Sequence, residues 1–138
     1  MLRYMLDTNI CIHVLKRQPP ALRDTFNAHA QDLCLSSVTL AELLYGAEKS
    51  AKPAANIAIV EAFAARLAIL PFGEKAAAHY GQIRADLERR GTPIGPYDLM
   101  IAGHARSEGL VVVTPNTREF ERVDGLRVED WTTPPAAG

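Results

Sequence analysis

Three apolar residues, Tyr4, Met5 and Leu6, run without a polar break and then stop at Asp7, Thr8 and Asn9. An unbroken apolar run this short reads as a strand buried on both faces, the kind found inside a parallel sheet. Asp7 then falls where the strand leaves the core. In open α/β sheets the edge beyond the carboxyl ends of the strands is where ligands bind. The question for every later segment is whether it brings another acid to that edge.

The rest of the chain alternates in the way such a sheet requires. Apolar runs at 33–36, 68–72, 110–114 and 126–128 predict further strands, with 110–114 the most β-branched of them. Between them, apolar residues recur at helical spacing over 10–16, 21–30, 37–50, 57–67, 74–90 and 97–108, with one more turn over 117–122. Segment 49–56, which contains Pro53, reads as a polar link. Gly91 suits the end of the helix before it, and Pro96 the first turn of the helix after it. This pattern predicts an α/β fold: a mostly parallel central sheet of about five strands between helices on both faces.

At 138 residues the chain has the size of one domain, read here as 1–133 with 134–138 as a frayed tail. No apolar run approaches the ~20 residues that cross a bilayer, and Asp7 interrupts any signal-peptide pattern, so a cytoplasmic protein is expected. Cys11 and Cys34 lack paired metal spacing and read as buried free thiols. A net charge of −1 gives no global pull toward nucleic acid, which leaves that task to a local basic face.

Two further acids fall at the same edge as Asp7. Thr39 and Glu42 have the spacing of a capping box, which would put Glu42 in the first turn of the helix after the second strand. Asp98 lies in the first turn of the helix that Pro96 opens, where the helix dipole favours an anion. Singly, each acid reads equally well as a cap or a turn residue. Gathered in one pocket they repel one another unless a cation neutralises them. Oxygen donors of this kind suit Mg²⁺ or Mn²⁺ and not zinc, and such an ion supports phosphodiester chemistry.

The segments that carry these acids, Met5-Leu-Asp-Thr-Asn9, Ser36-Ser-Val-Thr-Leu-Ala-Glu-Leu-Leu-Tyr-Gly-Ala-Glu-Lys-Ser50, Gly95-Pro-Tyr-Asp-Leu-Met-Ile-Ala-Gly-His-Ala105 and Val113-Thr-Pro-Asn-Thr-Arg-Glu-Phe120, resemble the successive motifs of PIN-domain toxins of the VapC type. Gly125-Leu-Arg-Val-Glu-Asp-Trp131 resembles the ending of that family, so the likeness covers nearly the whole chain in order. It implies a three-layer α/β/α PIN-like domain and a Mg²⁺-dependent endoribonuclease in which Mn²⁺ substitutes. The site acids and metal ligands would be Asp7, Glu42 and Asp98. A cognate VapB-type antitoxin, a homodimer and a larger hetero-oligomer with the antitoxin are implied as partners. The implied substrate is tRNA, with the anticodon stem-loop of initiator tRNA foremost.

Many PIN domains carry a fourth acid after the last main strand, where this chain reads Thr114-Pro-Asn116. Asn116 keeps a carbonyl donor but loses a charge, and Glu119, three residues on, is the candidate replacement. Thr8, Asn9, Ser37 and Thr114 flank the acids and are equally ordinary turn and capping residues. His104 is expected to pack, not to ligate. Candidate cations for RNA are Lys16, Arg17, Lys49, Lys52, Arg84, Arg89, Arg90 and Arg118, and Tyr97 is either a base-stacking residue or core. Two other readings compete. A haloacid-dehalogenase-like phosphatase wants an aspartate where Asn9 stands; a non-catalytic PIN-fold protein-binding module is opposed by the three acids and kept open by Asn116.

Overall fold

The structure, a computed structural model, describes residues 1–132; the expected tail at 134–138 lies outside the described residues. Its sheet has five strands, all parallel: β1 (Tyr4–Leu6), β2 (Leu33–Ser36), β3 (Ala68–Leu70), β4 (Val111–Val113) and β5 (Val128–Glu129), in the order β3-β2-β1-β4-β5. The chain winds outward from β1 to β3 and then returns to place β4 on the other side of β1. Between β1 and β4 the winding reverses, and at that switch point the carboxyl ends of the strands leave a crevice.

The central strands β2, β1 and β4 are buried on both faces, which is why they read as apolar runs without alternation. Tyr4, Leu6, Leu33, Leu35, Val111 and Val113 pack beneath α1 (Thr8–Arg17), α2 (Pro20–Ala28), α3 (Ser37–Glu48) and α4 (Pro53–Ala64). Met5, Cys34 and Val112 pack beneath α5 (Glu74–Arg89), α6 (Pro96–Ser107) and α7 (Thr117–Phe120). Alternate residues of one strand thus feed opposite layers, giving the expected α/β/α sandwich. Both cysteines are free and buried, and burial pushes the Cys34 thiol up to about 12.

Two expected helix starts are corrected. α3 begins at Ser37, not after Thr39: the Ser36 hydroxyl accepts from the Val38 N–H at 3.1 Å and is the N-cap. Ser36 is at once the last residue of β2 and the cap of α3, so no loop separates them. Thr39 is fully buried with its hydroxyl unpartnered, and Glu42 stands in the second turn, not the first. α4 begins at Pro53, earlier than the polar link suggested, because proline is pre-set for the first helical position.

α5 and α6 pack closely because Gly103 has no side chain. A Cβ there would lie 2.9 Å from the Tyr80 nitrogen and 3.2 Å from the Ala76 carbonyl oxygen. Gly91 ends α5 with φ +69°, a conformation that glycine adopts without strain. His104, on the next position of α6, is buried with Nδ1 at 2.8 Å from Ser36 Oγ. That hydroxyl also accepts from Val38, and its proton or its second lone pair meets the imidazole according to the ring's tautomer. Burial lowers the His104 pKa in keeping with a neutral ring. The contact ties α6 to the start of α3, and through them the two helices that carry Asp98 and Glu42.

Candidate active site

Asp7 follows β1 directly and caps α1. Its Oδ1 accepts from the Ile10 N–H at 2.8 Å, and its own N–H donates to the Val113 carbonyl of β4 at 3.0 Å. The residue is wholly buried. Burial raises its pKa to about 6, against the lowering effect of the nearby Thr114 hydroxyl and the Ile10 N–H. No donor meets Oδ2 in hydrogen-bond geometry. A buried carboxylate oxygen left unpartnered is costly unless something absent from the chain itself completes it.

Glu42 enters from α3, one and a half turns along. The Thr8 hydroxyl, in the first turn of α1, donates to Glu42 Oε1 at 2.6 Å. Asp98 enters from the first turn of α6, and Glu119 faces it from α7. Burial is the largest cause of the rise of the Asp98 pKa to about 8; the Glu119 carboxyl adds to it by hydrogen bonding and by charge, and Asp7 and Glu42 add further. A carboxyl placed this way among other acids is held toward its neutral form unless a cation enters.

Four acids from four segments therefore feel one another at the switch point. Among the described residues no three of them yet surround a single ligand-sized point. Glu42 is held by the Thr8 hydroxyl, and Asp98 faces Glu119. The donor set nevertheless fits a hard divalent ion: every group is a carboxylate, like charges raise two of the pKa values, and Asp7 Oδ2 has no partner.

The remaining expected residues sort by position. Glu119 faces Asp98 from α7, and the Asn116 N–H donates to Thr114 Oγ1 at 2.9 Å. Asn9 is exposed at the mouth. Ser37 points elsewhere, accepting from the Phe72 N–H at 3.0 Å beyond β3. Arg84 and Arg90 are occupied by Glu88, Asp86 and the Arg122 carbonyl. Lys16 and Lys49 instead line a groove of about 840 Å³ that opens from Thr8, Glu42 and Asp98 along α1, α3 and α4. Sequence reasoning missed this groove, although Ile12 at four residues past Thr8 and Tyr45 at three past Glu42 place apolar side chains on the acid-bearing faces.

Comparison with known proteins defines the class first: the PIN domain family matches residues 4–126. The chain is 58% identical to "tRNA(fMet)-specific endonuclease VapC" of Shigella flexneri, over 96% of its own length and 100% of that protein. It is 56% identical to "Ribonuclease VapC2" of Haemophilus influenzae, over 95% and 99% of the two chains. Among solved structures, the toxin chain of the DNA-bound VapBC complex from Salmonella typhimurium superposes with a TM-score of 0.93 at 59% identity, covering 95% and 99%. The chain belongs to the VapC group of the PIN-domain family.

Proposed function

We propose that the protein is the toxin of a toxin–antitoxin pair, a metal-dependent endoribonuclease that hydrolyses tRNA to stop translation. Initiator tRNA, cut in the anticodon stem-loop, is the first substrate to try, because relatives at 58% and 59% identity are named tRNA(fMet)-specific endonucleases. The observation that carries the reading is the meeting of Asp7, Glu42, Asp98 and Glu119 at the switch point, with Asp7 Oδ2 buried and unpartnered.

Asp7, Asp98 and Glu42 would hold Mg²⁺ or Mn²⁺, with Glu119 completing the set. When bound, the ion supplies the Lewis acidity and positive charge that phosphodiester hydrolysis needs. The chain's own residues do the rest. The Ile10 N–H holds Asp7 Oδ1, the Thr114 hydroxyl lies near the carboxylate, and Thr8 holds Glu42 in one orientation. Asp98, whose pKa burial and the neighbouring acids raise, gives up its proton when positive charge enters and becomes an anionic donor. No histidine is required as a base, and His104 is already committed to Ser36.

A VapB-type antitoxin is the partner, since solved relatives of this chain are VapBC complexes. A homodimer, and a larger assembly with the antitoxin, complete the reading. No helix among the described residues is long and apolar enough to cross a membrane, and two buried free thiols suit the reducing cytoplasm where tRNA is found. The test is cleavage of total tRNA in Mg²⁺. Discrete fragments that vanish with EDTA and with Asp7→Ala support the reading. Intact RNA under all conditions would favour a protein-binding module.

A further inference from the structure

Five large apolar side chains are exposed among the described residues, and four of them, Ile12, Tyr45, Ile59 and Tyr97, line the groove that leads out of the acid cluster. Isolated exposed apolar residues are ordinary, but their concentration on one face marks a binding surface. What would occupy it follows from the order of the chemistry along the helices.

α3 leaves the sheet edge with Glu42, Tyr45 and Lys49 at i, i+3 and i+7, one row along one face. The row runs acid, aromatic, cation, and the Lys49 ammonium lies 4.8 Å from the Tyr45 ring centroid. α1 brings Lys16 to the same groove from its last turn. With 1.5 Å of rise per residue, the Lys49 end of the row lies about 10 Å beyond Glu42. Cations at that remove suit phosphates flanking the one held at the acids.

Tyr97 immediately precedes Asp98 and is 55% exposed. Among the described residues its ring has no aromatic partner and its hydroxyl no hydrogen bond, whereas the other tyrosines are engaged: Tyr4 with His29 and Trp131, Tyr45 with Lys49, Tyr80 with Arg84. A large ring left bare beside a site acid, on a groove floored by a second tyrosine and flanked by two lysines, has the make-up of a single-stranded nucleic-acid platform. A peptide could also use such a ring, but the position of Tyr97 one residue from Asp98 places it where the nucleotide flanking a cut phosphate would lie.

We propose that Tyr97 is a positioning residue that stacks on an unpaired RNA base next to the scissile phosphate, with Tyr45 and Lys49 carrying the adjoining nucleotide. This deepens the ribonuclease reading and rests on it: the substrate must present unpaired bases at the cut, as a loop does. A duplex would keep its bases stacked on one another and out of reach of the ring.

The test crosses two changes. Wild type, Tyr97→Phe and Tyr97→Leu are each given a stem-loop RNA that the wild type cuts, intact or with an abasic residue on either side of the cut. The stack predicts kcat/KM within about twofold of wild type for Tyr97→Phe and about 10- to 100-fold lower for Tyr97→Leu, carried by KM. One abasic position should cost the wild type as much and cost Tyr97→Leu nothing more, which a general loss of folding would not produce. Normal cutting by Tyr97→Leu, or losses that multiply at both abasic positions, would overturn the stack. Normal cutting by Tyr97→Leu joined to weaker antitoxin binding would assign the groove to protein instead. If the wild type cuts no RNA the ribonuclease reading fails, and fluorescence anisotropy with the same oligonucleotides still reads the stack through the Tyr97→Leu and abasic pair.

Discussion

Asp98, in the first turn of α6, has the Glu119 carboxyl of α7 as its nearest acidic neighbour, although β4 separates the two helices in the chain. This pairing explains how a chain with asparagine at position 116 keeps four acids at its site. It also sets how the metal-free protein responds to pH and to substitution.

Replacing Asp98 separates stability from activity. Asp98→Asn removes a carboxyl that burial and three neighbouring acids hold in its neutral form, so the metal-free fold should keep or slightly raise its melting temperature at pH 8. Cleavage should fall by more than about a hundredfold, as expected for loss of a metal-binding group. Thermal denaturation and tRNA cleavage on the same preparation check both. A variant that cuts normally would reduce Asp98 to a helix starter.

The raised pKa values fix a pH dependence. For Asp7, at about 6, and Asp98, at about 8, the folded state holds protons that the unfolded chain releases near 3.8. Stability is therefore highest with respect to these groups below about pH 4 and is progressively lost as pH rises toward 8. The metal-free protein should melt at lower temperature at pH 8 than at pH 6, and added Mg²⁺ or Mn²⁺ should narrow that gap. Asp98→Asn should shrink it without metal. Calorimetry in matched buffers reads all three.

Thr8 acts through Glu42. Thr8→Val keeps the shape of the side chain and removes the donor at 2.6 Å from Oε1. Cleavage should fall about 10- to 100-fold, the usual loss for a group that orients a metal ligand, and Thr8→Ser should restore most of it. The requirement for divalent ion should rise in the valine variant, read as a rightward shift of the Mg²⁺ titration.

Gly103 tests the packing beneath the site. Gly103→Ala gains helix propensity but drives a Cβ into the Tyr80 backbone, where no flexible side chain can yield. A net loss of about 1–3 kcal/mol is expected, or roughly 3 to 12 °C in melting temperature. Gly46, on α3, has open space where a Cβ would sit, with nothing within 4 Å, and should accept alanine without such a loss.

The central strands and Asp7 are legible in the sequence because a sheet interior buried on both faces writes itself as short apolar runs, and Asp7, Ser36 and Thr114 end those runs. Pro96 and Gly91 mark real boundaries for the same local reason. The start of α3 is misread from sequence because Ser36 and Thr39 are both capping residues. Tertiary packing makes the choice between them, burying Thr39 and joining Ser36 to His104, 68 positions away. The same limit applies to the fourth acid. That Glu119, and not Asn116, meets Asp98 depends on how α7 turns against α6, and no local pattern encodes that. The groove stays hidden because its apolar residues come from separate helices.

The most direct test of the central claim is a Mn²⁺ titration followed by electron paramagnetic resonance, run beside tRNA cleavage at each Mn²⁺ concentration. Saturable binding that is lost in Asp7→Asn and Asp98→Asn, with cleavage rising along the same curve, is the predicted result. Cleavage that persists in EDTA, or binding that survives both substitutions unchanged, would contradict it.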